Sequence, residues 1–147
     1  MATPESTQPN DSRYSSTTPI RDQQDVLTAR QEVRRLAARL GLSLADQTRL
    51  ATAVSELTRN AVLYAGGGEC QLWDDSDERV LRIRVEVRDR GPGIADLNLA
   101  LRDGYSTRGG LGAGLPGTKR LVDFFDIATG HDGTCVVIAL ERLRGGL

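Results

Sequence analysis

A chain of 147 residues is long enough for one domain with a full core and too short for two. Its 19 Lys and Arg nearly balance 20 Asp and Glu, and both signs are spread along the chain, which excludes a basic nucleic-acid footprint and a polybasic membrane patch. No apolar run approaches the ~20 residues of a membrane span, and the N-terminus carries no apolar leader core. The expected setting is the cytoplasm, with a small ligand or another protein as partner.

Residues 1–18 are rich in Ser, Thr, Pro, Gln and Asn with almost no bulky apolar side chain, the composition of a disordered tail, so the domain is expected to fill 19–147. From 25 to 40 the apolar residues Val26, Ala29, Val33, Leu36, Ala37 and Leu40 recur at three and four, the period of an amphipathic helix, and Gly41 sits where a C′ residue belongs. Ser43 can cap a second helix whose stripe of Leu44, Leu50, Ala51, Val54, Leu57, Ala61 and Tyr64 stops at Gly66. Residues 70–73 read as a short strand and the acidic stretch 74–77 as a hairpin loop. Leu81, Ile83, Val85 and Val87 then alternate with Arg82, Arg84, Glu86 and Arg88, a strand with one apolar face that Asp89 continues. A short helix over 96–101, a loop over 103–114, a helix over about 115–125, a turn at 130–133 and a buried strand over 134–140 complete the order. Helices followed by a mostly antiparallel sheet predict a two-layer α/β sandwich with helices on one face. Cys70 and Cys135 lie far apart in strand-like runs, without metal-ligand spacing, and read as reduced core residues.

Half of the 16 glycines fall between Gly91 and Gly117, after the clearest strand and up to a helix start. A glycine-rich segment feeding a helix N-terminus can cradle phosphate with its amides and the helix dipole, and Pro116 fixes that start just after the glycines. Glu56 and Asn60, four apart, share one helical face beside the apolar stripe. A neutral carboxamide oxygen suits Mg²⁺ and a carboxylate one turn away can orient or deprotonate a hydroxyl, while a solvated face with Glu56 paired to Arg59 is the other reading. Asp89 ends its strand on the inward phase, where a carboxylate needs a donor; adenine N6 would supply one, and so would an Asx-turn into Gly91. Thr134 shares the inward phase of Val136, Ile138 and Leu140, facing either a ligand or the core.

In order, Glu56-x-x-x-Asn60, Asp89-x-Gly91-x-Gly93, Gly110-x-Gly112-x-Gly114 and Gly133-Thr134 resemble the N, G1 and G2 boxes and the closing Gly-Thr of the GHKL ATPase superfamily. Within it, Asp103-Gly-Tyr-Ser-Thr107 and the segment from Gly109 to Asp123 resemble the RsbT-type switch kinases, serine/threonine kinases related to anti-sigma factors. The resemblance covers about 19–142. It implies the Bergerat-type sandwich, ATP and Mg²⁺ as cofactors, and a first strand near 17–21. It also implies roles: Glu56 as base, Asn60 on Mg²⁺, Asp89 on adenine N6, Gly91 and Gly93 in the adenine turn, and Thr134 on the adenine side. Gly110, Leu111, Gly112, Ala113, Gly114 and Leu115 would surround the phosphates. The implied substrates are STAS-domain proteins of a stress-signalling complex, and the implied second partner is a PP2C-type phosphatase that the released kinase activates. An anti-sigma factor that sequesters a sigma factor is the alternative. A sensor histidine kinase needs a phosphoacceptor histidine on a dimerisation helix, whereas His131 falls in a turn.

Overall fold

The computed structural model describes residues 15–95, 100–102 and 114–145. The chain opens with strand β1 (Ser15–Ile20), followed by helices α1 (Gln23–Arg39) and α2 (Leu44–Ala65). Strands β2 (Gly68–Asp74) and β3 (Val80–Asp89), helix α3 (Gly114–Leu121), and strands β4 (Phe124–Gly130) and β5 (Gly133–Leu143) complete it.

The two long helices begin and end where their capping residues stand. Asp22 accepts from the amides of Gln24 and Asp25 at 3.0 and 3.2 Å, and Ser43 accepts from Asp46 at 3.1 Å, so each helix start has donors satisfied by a side chain. Leu42 N bonds back to Ala37 O at 3.0 Å, which closes α1 and folds α2 back along it. Gly66 ends α2 in the left-handed region at φ +76°, a conformation that glycine enters without a Cβ penalty.

All four strand pairings are antiparallel and the sheet order is β1-β2-β3-β5-β4. Cys70 and Leu72, Ile83, Val85 and Val87, and Val136, Ile138 and Leu140 point to one face, and α1 and α2 cover it with Val33, Leu36, Leu50, Val54 and Leu57. The helices therefore lie on one face of the sheet, as the patterning predicts. The opposite face carries a charged lattice: Arg84 pairs with Asp75 at 2.6 Å and Glu86 at 2.8 Å and lies 4.0 Å over the Trp73 ring, while Arg82 pairs with Glu141. Such part-exposed pairs add little stability each.

Three sequence expectations change. The tail does not extend to residue 18, because residues 15–18 already pair with β2, Thr18 opposite Cys70, and Ile20 anchors the strand with no exposed surface. Pro19 is tolerated because β1 is an edge strand and needs no second ladder. The helix expected over 115–125 stops at Leu121, and Phe124–Gly130 is instead the second edge strand, paired with β5 from Phe124↔Ala139 to Gly130↔Gly133. Its one half-buried face, Phe125, Ile127 and Thr129, has the period of two that the helical run of Leu121, Val122 and Phe125 masks. Finally, both cysteines are free, but only Cys70 lies in the core, where burial pushes its thiol up to about 12; Cys135 is half-buried opposite Arg88 on the charged face. The expected tail over 1–14, residues 96–99 of the expected short helix, and Gly110, Leu111, Gly112 and Ala113 lie outside the described residues.

Candidate nucleotide site

A cavity of about 1240 Å³ opens between α2, the end of β3, the turn after it, the start of α3 and the β4–β5 hairpin. Its lining includes Glu56, Asn60, Asp89, Gly93, Gly114, Leu115 and Thr134, so residues spread over 79 positions of sequence converge on one space. From Thr52 to Ala65, both on its wall, α2 rises about 20 Å, enough to run beside an extended nucleoside triphosphate.

One end is built around Asp89. Register places Asp89 directly opposite Thr134, and Asp89 Oδ1 accepts from Gly91 N at 2.9 Å and from Thr134 N at 3.2 Å. The Asx-type turn is therefore present, Asp89 also lines the cavity, and no described residue donates to its Oδ2. Gly91 does not line the cavity. A Cβ there would lie 2.5 Å from the Ala65 Cβ, so this glycine lets the turn pack on the end of α2. Gly93 has φ +84°, and a Cβ would collide with the Gly130 carbonyl oxygen. Glycine is needed there on both counts.

Thr129 is a residue that sequence reasoning missed. Its hydroxyl accepts from Ile94 N at 2.9 Å and shares a 2.7 Å hydrogen bond with the Thr134 hydroxyl, tying the turn after β3 to the hairpin. The available signal was the alternation of Phe125, Ile127 and Thr129, of which only Phe125 falls within the helix expected over 115–125.

At the other end, Glu56 is mostly buried, with 13% of its side chain exposed, and its Oε1 accepts from Arg59 Nη1 at 3.2 Å. The pairing with Arg59 and the position on the cavity wall coexist. Asn60, one turn on, is half-buried, and no described residue hydrogen-bonds its carboxamide. Gly114 and Leu115 bring the N-terminus of α3 to the wall, and Thr118 Oγ1 donates to Gly114 O at 3.0 Å, holding that first turn. His131 lies in the β4–β5 turn rather than on a helix.

The family model for the histidine kinase-like ATPase domain matches residues 21–140. The chain belongs to that family. It is 45% identical over 121 residues to the serine/threonine-protein kinase RsbT of Bacillus subtilis (strain 168), a match that covers 82% of this chain and 90% of that one. At this identity over almost the whole domain, the chain is a serine/threonine-protein kinase of the GHKL superfamily, most like the RsbT-type kinases, and the cavity is that of an ATP-binding domain. Solved structures share the fold. The RsbU and RsbW domains of Rv1364c from Mycobacterium tuberculosis align with a TM-score of 0.63 at 22% identity, over 88% of this chain and 32% of that one. The histidine kinase domain of a blue-light activated kinase from Erythrobacter litoralis aligns at 0.50 and 21% identity, over 83% and 64%. This chain thus spans about a third of the two-domain mycobacterial structure.

Proposed function

We propose that the kinase transfers the terminal phosphoryl group of Mg-ATP to a serine or threonine of STAS-domain proteins and, once released from them, binds and activates a PP2C-type phosphatase. The observation that carries this reading is the convergence of Glu56, Asn60, Asp89 and Thr134 on one cavity. Asp89 Oδ2 accepts from adenine N6, with Thr134 and the turn through Gly93 framing the base. Gly114 and Leu115 at the start of α3 are assigned to the phosphates, together with Gly110, Leu111, Gly112 and Ala113, which precede them in sequence. Asn60 holds Mg²⁺, an assignment supported by its place on the cavity wall and by a carboxamide that no described residue hydrogen-bonds. Mg²⁺ characteristically takes one or two protein oxygens and completes its shell with water and phosphate, and it supplies charge neutralisation when bound.

Glu56 accepts the proton of the attacking hydroxyl. As the new bond from that oxygen to phosphorus forms, the bond from phosphorus to the departing ADP breaks, and the phosphoprotein leaves. Arg59 holds the carboxylate in place through its 3.2 Å pair.

The test is transfer of labelled phosphate from Mg-ATP to purified STAS-domain proteins. Wild type should label Ser or Thr. Glu56→Gln should bind Mg-ATP as before and lose about 10²–10⁴-fold in rate. Capture of a sigma factor without labelling of any STAS protein would replace this reading by the anti-sigma one.

A further inference from the structure

Among the described residues, Arg30 has no counter-charge. It lies within the buried stripe of α1, directly after Ala29 and one turn from Val26 and Val33, all three nearly inaccessible, and it is itself half-buried. Two described cations line the cavity, Arg30 and Arg59, and Arg59 is committed to Glu56. No described side chain hydrogen-bonds or pairs with Arg30. A partly desolvated guanidinium without a partner is costly, and one that opens into a ligand cavity is set to receive an anion.

Its position says which anion. α1 and α2 run in opposite directions from the short turn at 41–43, and counting equally from that turn sets Arg30 level with residues 52–56, about one to two helical turns beyond Asn60. Asp89 and Ala65 mark the opposite end. A nucleotide with its base at Asp89 and its metal at Asn60 therefore points its last phosphate towards Arg30. The wall's own carboxylates, Glu56 and Asp89, oppose a polyphosphate, and Arg59 offsets only the first.

We propose that the Arg30 guanidinium binds the terminal phosphoryl group of ATP, distinguishing the triphosphate from the diphosphate and stabilising the charge that spreads over the transferring group. The inference rests on the nucleotide reading of the cavity. The fork of donors on arginine matches phosphoryl oxygens in pairs, which a lysine ammonium does not. In the transfer step, Arg30 exchanges no proton and forms no covalent bond. It accompanies the phosphoryl group from ADP to the acceptor oxygen.

Calorimetry with Mg-ATP and Mg-ADP on wild type, Arg30→Gln and Arg30→Lys tests it, with circular dichroism confirming that each variant folds. Arg30→Gln should lose about tenfold to a hundredfold in ATP affinity and stay within about twofold for ADP, and Arg30→Lys should recover part of the loss. Equal loss of both nucleotides, or no loss of either, overturns the assignment. So does unchanged binding of both with slower transfer to protein, which would place the guanidinium on the protein substrate instead. A wild type that binds neither nucleotide overturns the reading of the cavity itself, and this inference with it.

Discussion

At the scale of single residues, Asp89 combines two tasks on separate oxygens. Oδ1 fixes the turn and the start of β5, and Oδ2, which no described residue bonds, is the atom proposed above to meet adenine N6. Asparagine can keep the first task, since its carboxamide oxygen still accepts from Gly91 N and Thr134 N, but it presents a donor where adenine N6 also donates. Asp89→Asn is therefore expected to retain its melting temperature and weaken ATP binding by about 1–3 kcal/mol, the range for a mispaired buried polar group. Calorimetry beside a thermal melt separates the two effects, and unchanged ATP affinity would remove Asp89 from the base contact.

At the scale of elements, the β4–β5 hairpin is part of the site's frame. Thr129 sits on the edge strand and holds Ile94 from 35 positions away in sequence, so the turn after β3 is only as firm as that hairpin. Thr129→Val keeps the shape and removes the acceptor. The Ile94 amide should then exchange faster with solvent, with about 1–3 kcal/mol less stability and a weaker hold on ATP. An unchanged exchange rate at Ile94 would show that the turn holds itself.

The same hairpin shows where sequence ceases to be legible. α1, α2 and β3 each bury one continuous face, and a face leaves a period: three and four in Val26, Ala29 and Val33, two in Ile83, Val85 and Val87. Glu56, Asn60, Asp89 and Thr134 could be placed because each stands at a fixed phase on such an element. Edge strands bury less. β1 is built of Ser and Thr around one anchoring Ile20, and β4 follows a helix whose apolar spacing runs on into it. Thr129 and Arg30 were illegible for a different reason. Each owes its role to a neighbour that only the folded chain supplies, Ile94 for one and the cavity for the other.

At the scale of the whole molecule, the end remote from Asp89 is clamped by charge. Arg142 on β5 grips Asp46 in the first turn of α2 with two 2.8 Å hydrogen bonds, and reaches Asp123 at 3.0 Å. The hydrogen bonds from Arg142 hold the Asp46 carboxyl below the usual carboxylate range, against the effect of burial. A lowered folded pKa gives stability that is present above the unfolded value of ~4 and lost as pH falls through the folded one. Arg142→Ala should cost about 1–2 kcal/mol at neutral pH, moderated by the solvent that reaches the arginine, and the gap to wild type should narrow as the solution is acidified below ~pH 4. Urea melts at pH 7 and pH 3 measure it. A gap that does not change between them would mean that the arginine acts by packing alone.

The strand that carries Thr134 and Arg142 is the last of the described strands in sequence, yet in the order β1-β2-β3-β5-β4 it lies inside the sheet rather than at its rim. Translation therefore delivers the middle of the sheet last. As the nascent chain leaves the ribosome, β3 waits with one side of its backbone unpaired until β5 arrives, and the base end of the cavity does not exist before then. A ligand of that cavity can stabilise only a polypeptide made through β5, and a product cut short before residue 134 would keep its helical hairpin sequence while leaving β3 as an open edge, ready to pair with another chain.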